Sequence, residues 1–484
     1  MRSYLFAFVL ALAFGALLTP LAGRIGRRVG AVDRTKGEPI PRAGGLAIVA
    51  ATLLALGLLA LVFRPTRDLV AHSLAQYDAI WIGAIGIVVL GVVDDIWRLK
   101  AWPKVLVEVA IAVFLYASGV RATTVWLPFG IVELGQVVGL GFTVLWIVGI
   151  TNAFNLLDGI DGAAAGSAVF ALLAMFVASA SLGQPFVALS AVAIAGATLG
   201  FLPFNFPPAR IYLGDAGSLF LGFSLASLAI AGATKGPAIV AIAIPLVAFG
   251  VPVLDTLIAV VRRGVRGAPL FRGDREHLHH RLLDLGLSNA QAAAILYVVS
   301  AAFALASMLF LNPNVRGMAV VLTMIGAVVW LAMRHLRLHE FFELARIAQR
   351  GMSSPRAIQF NVHVRRAADA LDRAGTWDEV VRVLGGLFDE SEFDAVRLIV
   401  QHPGADRRSE YHFERGALVP GAEPIHPDEW GVHLPFTIGQ AGDRGELAVF
   451  RRYGRRPLLT DVNLIVETLR PSLSKAAARV QAPA

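Results

Sequence analysis

The chain has 484 residues, 56% of them hydrophobic and 16% charged, which is too long for one ordinary core and too apolar for a soluble one. Residues 1–335 carry 23 basic and 15 acidic side chains, so the whole formal net charge of +8 lies there; residues 336–484 carry 20 of each sign, at the density of a soluble domain. The absence of cysteine excludes disulfide scaffolds, thiolate metal sites, iron–sulfur clusters and thiol catalysis. The surplus bases sit between apolar segments, where they act as topology signals, and no nucleic-acid partner is expected.

A spanning helix needs roughly 20 mostly apolar residues. About eleven such segments are predicted: 4–23, 44–63, 79–97, 104–120, 134–151, 163–182, 185–202, 213–232, 237–261, 289–311 and 315–333. Gly and Ala are frequent in them, as close helix packing in lipid requires. Only Arg2 precedes the first segment, whereas Arg24, Arg27, Arg28, Arg34, Lys36 and Arg42 follow it, the reverse of a secretory signal. The positive-inside rule therefore puts the N-terminus outside and the 24–43 loop inside. Parity then places the loops near 94–104, 152–162, 203–213 and 262–288, and the C-terminal tail, on that same cytoplasmic side.

Every polar cluster falls on this one side. The first is Asp33-Arg34-Thr35-Lys36 followed by Pro41-Arg42-Ala43-Gly44-Gly45, which also reads as a positive-inside anchor with a turn. Asp94-Asp95-Ile96-Trp97-Arg98-Leu99 ends the third segment, and two adjacent carboxylates there are costly unless hydrated, paired or metal-bound. Lys104 and Glu108 follow one turn apart, at the spacing of a local pair. Next comes Asn152–Gly162, with Asn152, Asn155, Asp158 and Asp161 among glycines; it lacks the ligand ladder of a calcium loop. The fourth cluster, Asn205–Ser218, sets Asp215 at the start of an apolar helix, as a helix N-terminal acid or a holder of cation or phosphate. The fifth, after Asp255, has six Arg against two acids and ends in His277-Leu278-His279-His280-Arg281. Nothing nearby completes a zinc site, and guanidinium suits a diphosphate better.

In this order the clusters resemble the polyprenyl-phosphate N-acetylhexosamine-1-phosphate transferase family over residues 1–335. The marks are PRAGG at 41–45, DDIWRL at 94–99, NAFNLLDGIDGAAAG at 152–166, NFPPARIYLGDAGSLFLGF at 205–223 and HLHHRLLDLGL at 277–287. The histidine string resembles the branch that starts O-antigen, teichoic-acid or related surface polymers; the branch making the peptidoglycan lipid precursor is the alternative. Two departures are Glu108, where the family often has Gln, and a first loop that is shorter before PRAGG, which leaves Lys36 without an assigned role. The resemblance implies transfer of a hexosamine-1-phosphate, GlcNAc first, from its UDP-sugar to undecaprenyl phosphate, with release of UMP, in the bacterial cytoplasmic (inner) membrane. It also implies Mg²⁺, with Mn²⁺ as a substitute. Asp215 and Asp94 would hold the metal, and Asp94 and Asp95 would act in catalysis. Asn155, Asp158, Asp161, Lys104, Arg210, His277, His279, His280 and Arg281 would bind substrate. An intramembrane aspartyl protease, suggested by Leu213-Gly214-Asp215, and a transporter are the rival readings; neither accounts for all five clusters.

The fold expected is an all-α polytopic membrane protein of about eleven transmembrane helices with a C-terminal soluble α/β domain. A membrane domain over 1–335 leads through a basic juxtamembrane linker over 336–355 to a cytoplasmic domain over 356–484. In the tail, 357–387 and 458–480 read as helices, and 393–400, 432–438 and 445–450 as strands. That order, with Gly445-Glu446-Leu447-Ala448-Val449-Phe450 before a terminal helix, is similar to a GAF-type sensory domain. The tail is expected to be dispensable for chemistry and to bind a regulatory ligand or protein; a homodimer is a further expectation.

Overall fold

The computed structural model describes residues 1–33, 39–127, 130–233, 244–266, 278–311, 355–389, 393–401, 408–414, 417–419, 429–438, 443–452 and 465–480, with a few single residues between them. It divides into two units, Met1–Val260 with Phe271–Trp330, and Val261–Leu270 with Leu331–Ala484.

In hydrocarbon every backbone N–H and C=O must be satisfied within its own segment, so long apolar runs become helices. The first unit contains α1 (Arg2–Val29), α2 (Gly44–Val62), α3 (Arg64–Trp97), α4 (Ala101–Ala117), α5 (Gln136–Leu157), α6 (Ala163–Ser181), α7 (Pro185–Asn205), α8 (Gly214–Ala233), the part of α9 (Gly250–Arg266) up to Val260, α10 (Leu278–Asp284) and α11 (Asn289–Ser307). Among the described residues eight helices are long and apolar enough to cross a bilayer: α1, α2, the Tyr77–Trp97 part of α3, α5 to α8, and α11 continued to Leu311. The backbone of α3 leaves helical geometry at Tyr77, which separates 64–76 from the span. Eleven spans were expected. The 104–120 segment forms α4, with only 17 residues; the start of 237–261 and most of 315–333 lie outside the described residues.

Helices in lipid gain from close backbone approach rather than from hiding apolar surface, so small residues face inward. The buried positions of α1 are Ala7, Ala11, Gly15, Thr19, Ala22, Gly23 and Gly26, while Leu5 and Leu17 point out at 64% and 71% exposure. A Cβ on Gly15 would stand 2.4 Å from the Ala197 carbonyl oxygen of α7. The centre of the unit is α8, buried at every position except Asp215 and Ala233. Its first turn is wedged between Gly45 of α2 and Gly91 of α3: a Cβ on Gly45 would meet the Gly217 nitrogen at 2.1 Å, and one on Gly91 the Ala216 Cα at 2.3 Å.

Two small hairpins depart from the all-α expectation. Val32–Asp33 (β1) pairs with Ile40–Pro41 (β2), and Thr124–Leu127 (β3) with Gly130–Glu133 (β4), all antiparallel. Both lie in inter-helix connections, where adjacent extended segments satisfy each other's backbone groups.

The second unit is built on a five-stranded antiparallel sheet of β5 (Ala395–Gln401), β6 (Arg408–Glu414), β7 (Ala417–Val419), β8 (Glu429–Ile438) and β9 (Asp443–Arg452), in the order β7-β6-β5-β9-β8. The helices are α12 (Pro355–Leu371), α13 (Trp377–Asp389) and α14 (Arg470–Val480). Phe360, Leu371, Leu384, Phe388 and Leu473 of these helices pack on Leu398, Leu434 and Val449 of one sheet face. The single helix expected over 357–387 is two helices, broken where the Gly375 N–H donates to Glu379 Oε2 at 2.8 Å. Helical structure at the C-terminus starts at Ile465, and 458–464 lie outside the described residues, as does the 336–355 linker. Strands β6 and β7 were not foreseen.

Replacing Gly45 by Val should cost at least the roughly 3 kcal/mol that marks severe overpacking, because the new atoms meet backbone on both sides. A detergent-solubilised Gly45→Val protein is expected to unfold well below wild type by thermal melt, whereas Gly57→Val, at a position with open space around it, should not.

Candidate active site

The polar clusters sit at the ends of helices that finish or begin at one end of the bundle: the start of α2, the end of α3, the start of α4, the ends of α5 and α7, and the start of α8. The joint between α3 and α8 organises them. Asp95 Oδ1 accepts the Asp215 N–H at 2.9 Å and Asp95 Oδ2 accepts the Ala216 N–H at 3.1 Å. One carboxylate thereby satisfies two of the four N–H groups that a helix leaves unpaired, at the positive end of its dipole. Gly214, at φ +74°, makes the turn that allows this; a Cβ there would come within 2.7 Å of Asp95 Oδ2.

Asp94 takes a different partner. Its Oδ1 accepts the Leu99 N–H at 2.6 Å, while Lys104 Nζ donates to Asp94 Oδ2 at 2.6 Å and to Asp215 Oδ2 at 2.8 Å. The Lys104–Glu108 pair expected from spacing does not form. Glu108, 1% exposed, instead accepts a hydrogen bond from Asn152 of α5, which ties α4 to α5 and leaves the lysine to the two aspartates.

In front of this joint lies a cavity of about 320 Å³, walled by Asn155, Asp158, Asp161 and Asp215 on one part and by Asp33, Arg42, Asn205 and Tyr212 on the other. Asn155 Nδ2 donates to Ser218 Oγ at 2.9 Å, which holds the amide against the first turn of α8. Asp161 Oδ2 accepts the Ala209 N–H at 3.0 Å, so it anchors the α7–α8 loop. Arg42 Nη2 donates to Asp33 Oδ2 at 2.5 Å. Desolvation, and then the nearby charges of Asp215 and Asp95, raise the Asp158 carboxyl well above the usual carboxylate range.

Of the residues singled out from sequence, Asn155, Asp158, Asp161 and Asp215 line one cavity, with Asp94, Asp95 and Lys104 directly behind Asp215. Arg210 lines a separate cavity with Arg24 and Arg27. His277 and the side chains of His279 and His280 lie outside the described residues; Arg281 is half-buried on α10. Asp33, Arg42, Asn205 and Tyr212 complete the wall and were not singled out as site residues, although Arg42, Asn205 and Tyr212 belong to the motifs and Asp33 to the first polar cluster. The signal was there in Arg42 of PRAGG and in Asn205 and Tyr212 flanking the prolines.

The side chains on the cavity that could ligate a metal offer oxygen, from four carboxylates, the amides of Asn155 and Asn205 and the Tyr212 hydroxyl, which is the chemistry of a hard divalent cation. Among the described residues no three His, Cys, Asp or Glu side chains are grouped closely enough to hold a metal by themselves. Mg²⁺ commonly takes one or two carboxylates together with substrate phosphates, so the donor set fits that ion when an anionic substrate completes it.

Apolar helices whose ends carry a carboxylate-lined cavity define a membrane-integral protein with a polar site at one end of its bundle. Residues 77–233 match the model of glycosyl transferase family 4. The chain is 36% identical over 319 residues to the "Probable undecaprenyl-phosphate N-acetylglucosaminyl 1-phosphate transferase" of Bacillus subtilis, covering 64% of this chain and 85% of that one. It is 35% identical to the decaprenyl-phosphate N-acetylglucosaminephosphotransferase of Mycolicibacterium smegmatis, covering 66% and 82% of the two chains. A phospho-N-acetylmuramoyl-pentapeptide-transferase of Clostridium perfringens is 28% identical, covering 61% and 94%. The chain belongs to this family of polyprenyl-phosphate sugar-1-phosphate transferases.

The geometry separates Asp95 from its neighbour. In Asp95→Asn an amide NH₂ would face one of the two backbone N–H groups, and a charge-assisted hydrogen bond worth about 1.5–3 kcal/mol would be lost. The variant is expected to melt lower than wild type by that amount and to lose turnover with it. Unchanged thermal stability would show that the contact does not hold α8.

Proposed function

We propose that the chain transfers N-acetylhexosamine-1-phosphate, most simply GlcNAc-1-phosphate, from a UDP-sugar to undecaprenyl phosphate, releasing UMP and starting a cell-envelope polysaccharide. The cytoplasmic face of the bacterial inner membrane is the proposed location, with the N-terminus outside. The observation that carries the reading is Asp215: it is the one residue of the first turn of α8 that is not buried, and it faces a cavity of oxygen donors in a chain related to such transferases. The 36% and 35% relatives are N-acetylglucosamine-phosphate transferases, which supports that sugar over the muramoyl-pentapeptide substrate of the 28% relative.

In the proposed reaction an oxygen of the acceptor phosphate attacks the sugar-bearing phosphorus of the UDP-sugar. The phosphorus–oxygen bond to the second phosphate breaks, and UMP leaves. A phosphate monoester with a second pKa of about 6 is largely dianionic near neutrality, so it needs little deprotonation. The obstacle is repulsion between anions, and catalysis is mainly positioning and charge neutralisation. A bound Mg²⁺ would supply that neutralisation, with Asp215 the first choice of ligand and Asp94 the second. Asp95, with both oxygens engaged by N–H groups, positions Asp215. Lys104 keeps Asp94 and Asp215 side by side. Asn155, Asp158 and Asp161 orient the nucleotide sugar, Arg42 faces phosphate across the cavity, and the histidine segment with Arg281 grips phosphate and sugar. The tail, with its antiparallel sheet under helices, is proposed as a GAF-like regulatory module.

Purified protein given UDP-GlcNAc, undecaprenyl phosphate and Mg²⁺ is expected to release UMP, and Asp215→Asn to lower that rate by at least a hundredfold. Lipid-independent release, or full activity in the variant, would overturn the assignment. Because burial and the neighbouring aspartates raise the Asp158 carboxyl and a cation in the cavity favours its ionised form, apparent Mg²⁺ affinity should rise as pH rises. Calorimetric titration at two pH values checks this without turnover.

A further inference from the structure

Behind the acid cavity the bundle end holds a second cavity, of about 400 Å³ and opposite charge. Arg24 and Arg27 from the last turns of α1 and Arg210 from the α7–α8 loop line it, over an apolar floor that includes Pro20, Phe204 and Ile211. The two cavities stand back to back. Pro41, Phe204 and Ile211 face the basic one, whereas their chain neighbours Arg42, Asn205 and Tyr212 line the acid one. The partition consists of these segments, held by the Tyr212 N–H on the Pro41 carbonyl at 2.9 Å and by Asn205 Nδ2 on the Ile211 carbonyl at 3.0 Å.

Three guanidinium groups share the basic cavity, and among the described residues no carboxylate makes an ion pair with any of them. Like charges gathered over an apolar floor repel one another and attract an anion that brings apolar surface with it. Next to the arginines, Leu17, Leu21 and Ile25 of α1 point outward at 71%, 49% and 47% exposure, so an apolar chain could run along the helix from this point. The geometry points to a binding site for the phosphate headgroup of an anionic bilayer phospholipid, held by Arg24, Arg27 and Arg210 with its acyl chains along α1. Basic pockets between membrane helices are suited to such headgroups. A bilayer lipid is favoured over the polyprenyl phosphate acceptor because the partition separates this cavity from Asp215, where an acceptor phosphate would have to react. The bound lipid would brace the partition that carries Arg42 and Tyr212 into the acid cavity. Arg210 is thereby assigned to lipid rather than to the sugar nucleotide.

The test is thermal unfolding of the full chain in detergent, titrated with dioleoyl phosphatidylglycerol, dioleoyl phosphatidylcholine or undecaprenyl phosphate; none of these readings needs turnover. The expected result is a saturable rise in midpoint of several degrees with phosphatidylglycerol and none with phosphatidylcholine. Arg24→Gln, Arg27→Gln and Arg210→Gln, made singly so that one poorly folding variant does not end the test, should each raise the half-saturating concentration about tenfold. Arg28→Gln removes the same charge from the same turn without lining the cavity and should titrate like wild type. An equal loss in Arg28→Gln would reduce the effect to general surface charge and overturn the site. So would the absence of a phosphatidylglycerol response. A response to undecaprenyl phosphate alone, lost in the three variants, would make the acceptor the occupant and overturn the phospholipid assignment.

Discussion

Six aspartates, Asp33, Asp94, Asp95, Asp158, Asp161 and Asp215, gather at one end of an apolar bundle with two cations, Arg42 and Lys104, among them. Carboxylates crowded beside low-dielectric helices are unfavourable unless each is neutralised or hydrogen-bonded, and the rest of the structure can be read as the means of meeting that demand. Asp95 is satisfied by two backbone N–H groups, Asp94 and Asp215 share one lysine, Asp33 takes Arg42, and Asp161 takes a loop N–H. Asp158 remains on the cavity wall with its carboxyl raised, so it meets the demand by favouring the protonated, neutral form.

That solution depends on backbone proximity. The Asp95 carboxylate reaches two successive N–H groups of α8 only because Gly45 and Gly91 let α2 and α3 approach the same turn, and because Gly214 adopts a left-handed conformation that has no room for a Cβ. Small residues serve two ends here. Along α1 and α7 they provide the packing that holds helices together in lipid; around the first turn of α8 they set the position of Asp215.

Much of this was legible in the chain. The motifs fell at helix ends because apolar runs set the helices and polar residues are excluded from their middles, so Asn155, Asp158, Asp161 and Asp215 could be placed on one side from hydropathy alone. What spacing could not supply was partnership across long sequence separation. Lys104 and Glu108 sit at the spacing of a local pair, yet each finds a better partner on another helix: Asp94 and Asp215 for the lysine, Asn152 for the glutamate. The adjacent aspartates Asp94 and Asp95 look alike in sequence but project from successive positions of a helix, so one meets a side chain and the other the end of α8. Arg210 lies among site residues in the motif, but together with its neighbour Ile211 it lines the opposite cavity, and the chain turns to the acid side only at Tyr212. In the tail, β6 and β7 escaped because Arg408–Glu414 has three charged residues and a histidine, with Tyr411 and Phe413 its only large apolar positions, and Ala417–Val419 is only three residues long.

On the proposed function and the proposed lipid site, the partition that separates the two cavities lets one bundle end manage anions in two ways. A reacting phosphate needs charge that is mobile and strong, which carboxylates provide only indirectly, by drawing a cation to where two anions must meet. A resting phosphate needs fixed charge and an apolar seat, which arginines over Pro20, Phe204 and Ile211 provide directly. The segments that carry Arg42, Asn205 and Tyr212 into the acid cavity and Pro41, Phe204 and Ile211 into the basic one stand between the two groups, and among the described residues no aspartate pairs with Arg24, Arg27 or Arg210. Were Arg24, Arg27 or Arg210 on the other side of that wall, they would neutralise the carboxylates and remove the reason for a divalent cation to bind. The wall formed where Pro41 and Arg42, Phe204 and Asn205, and Ile211 and Tyr212 divide between the two cavities is therefore what allows an acid site and a basic site to coexist at the end of one helix bundle.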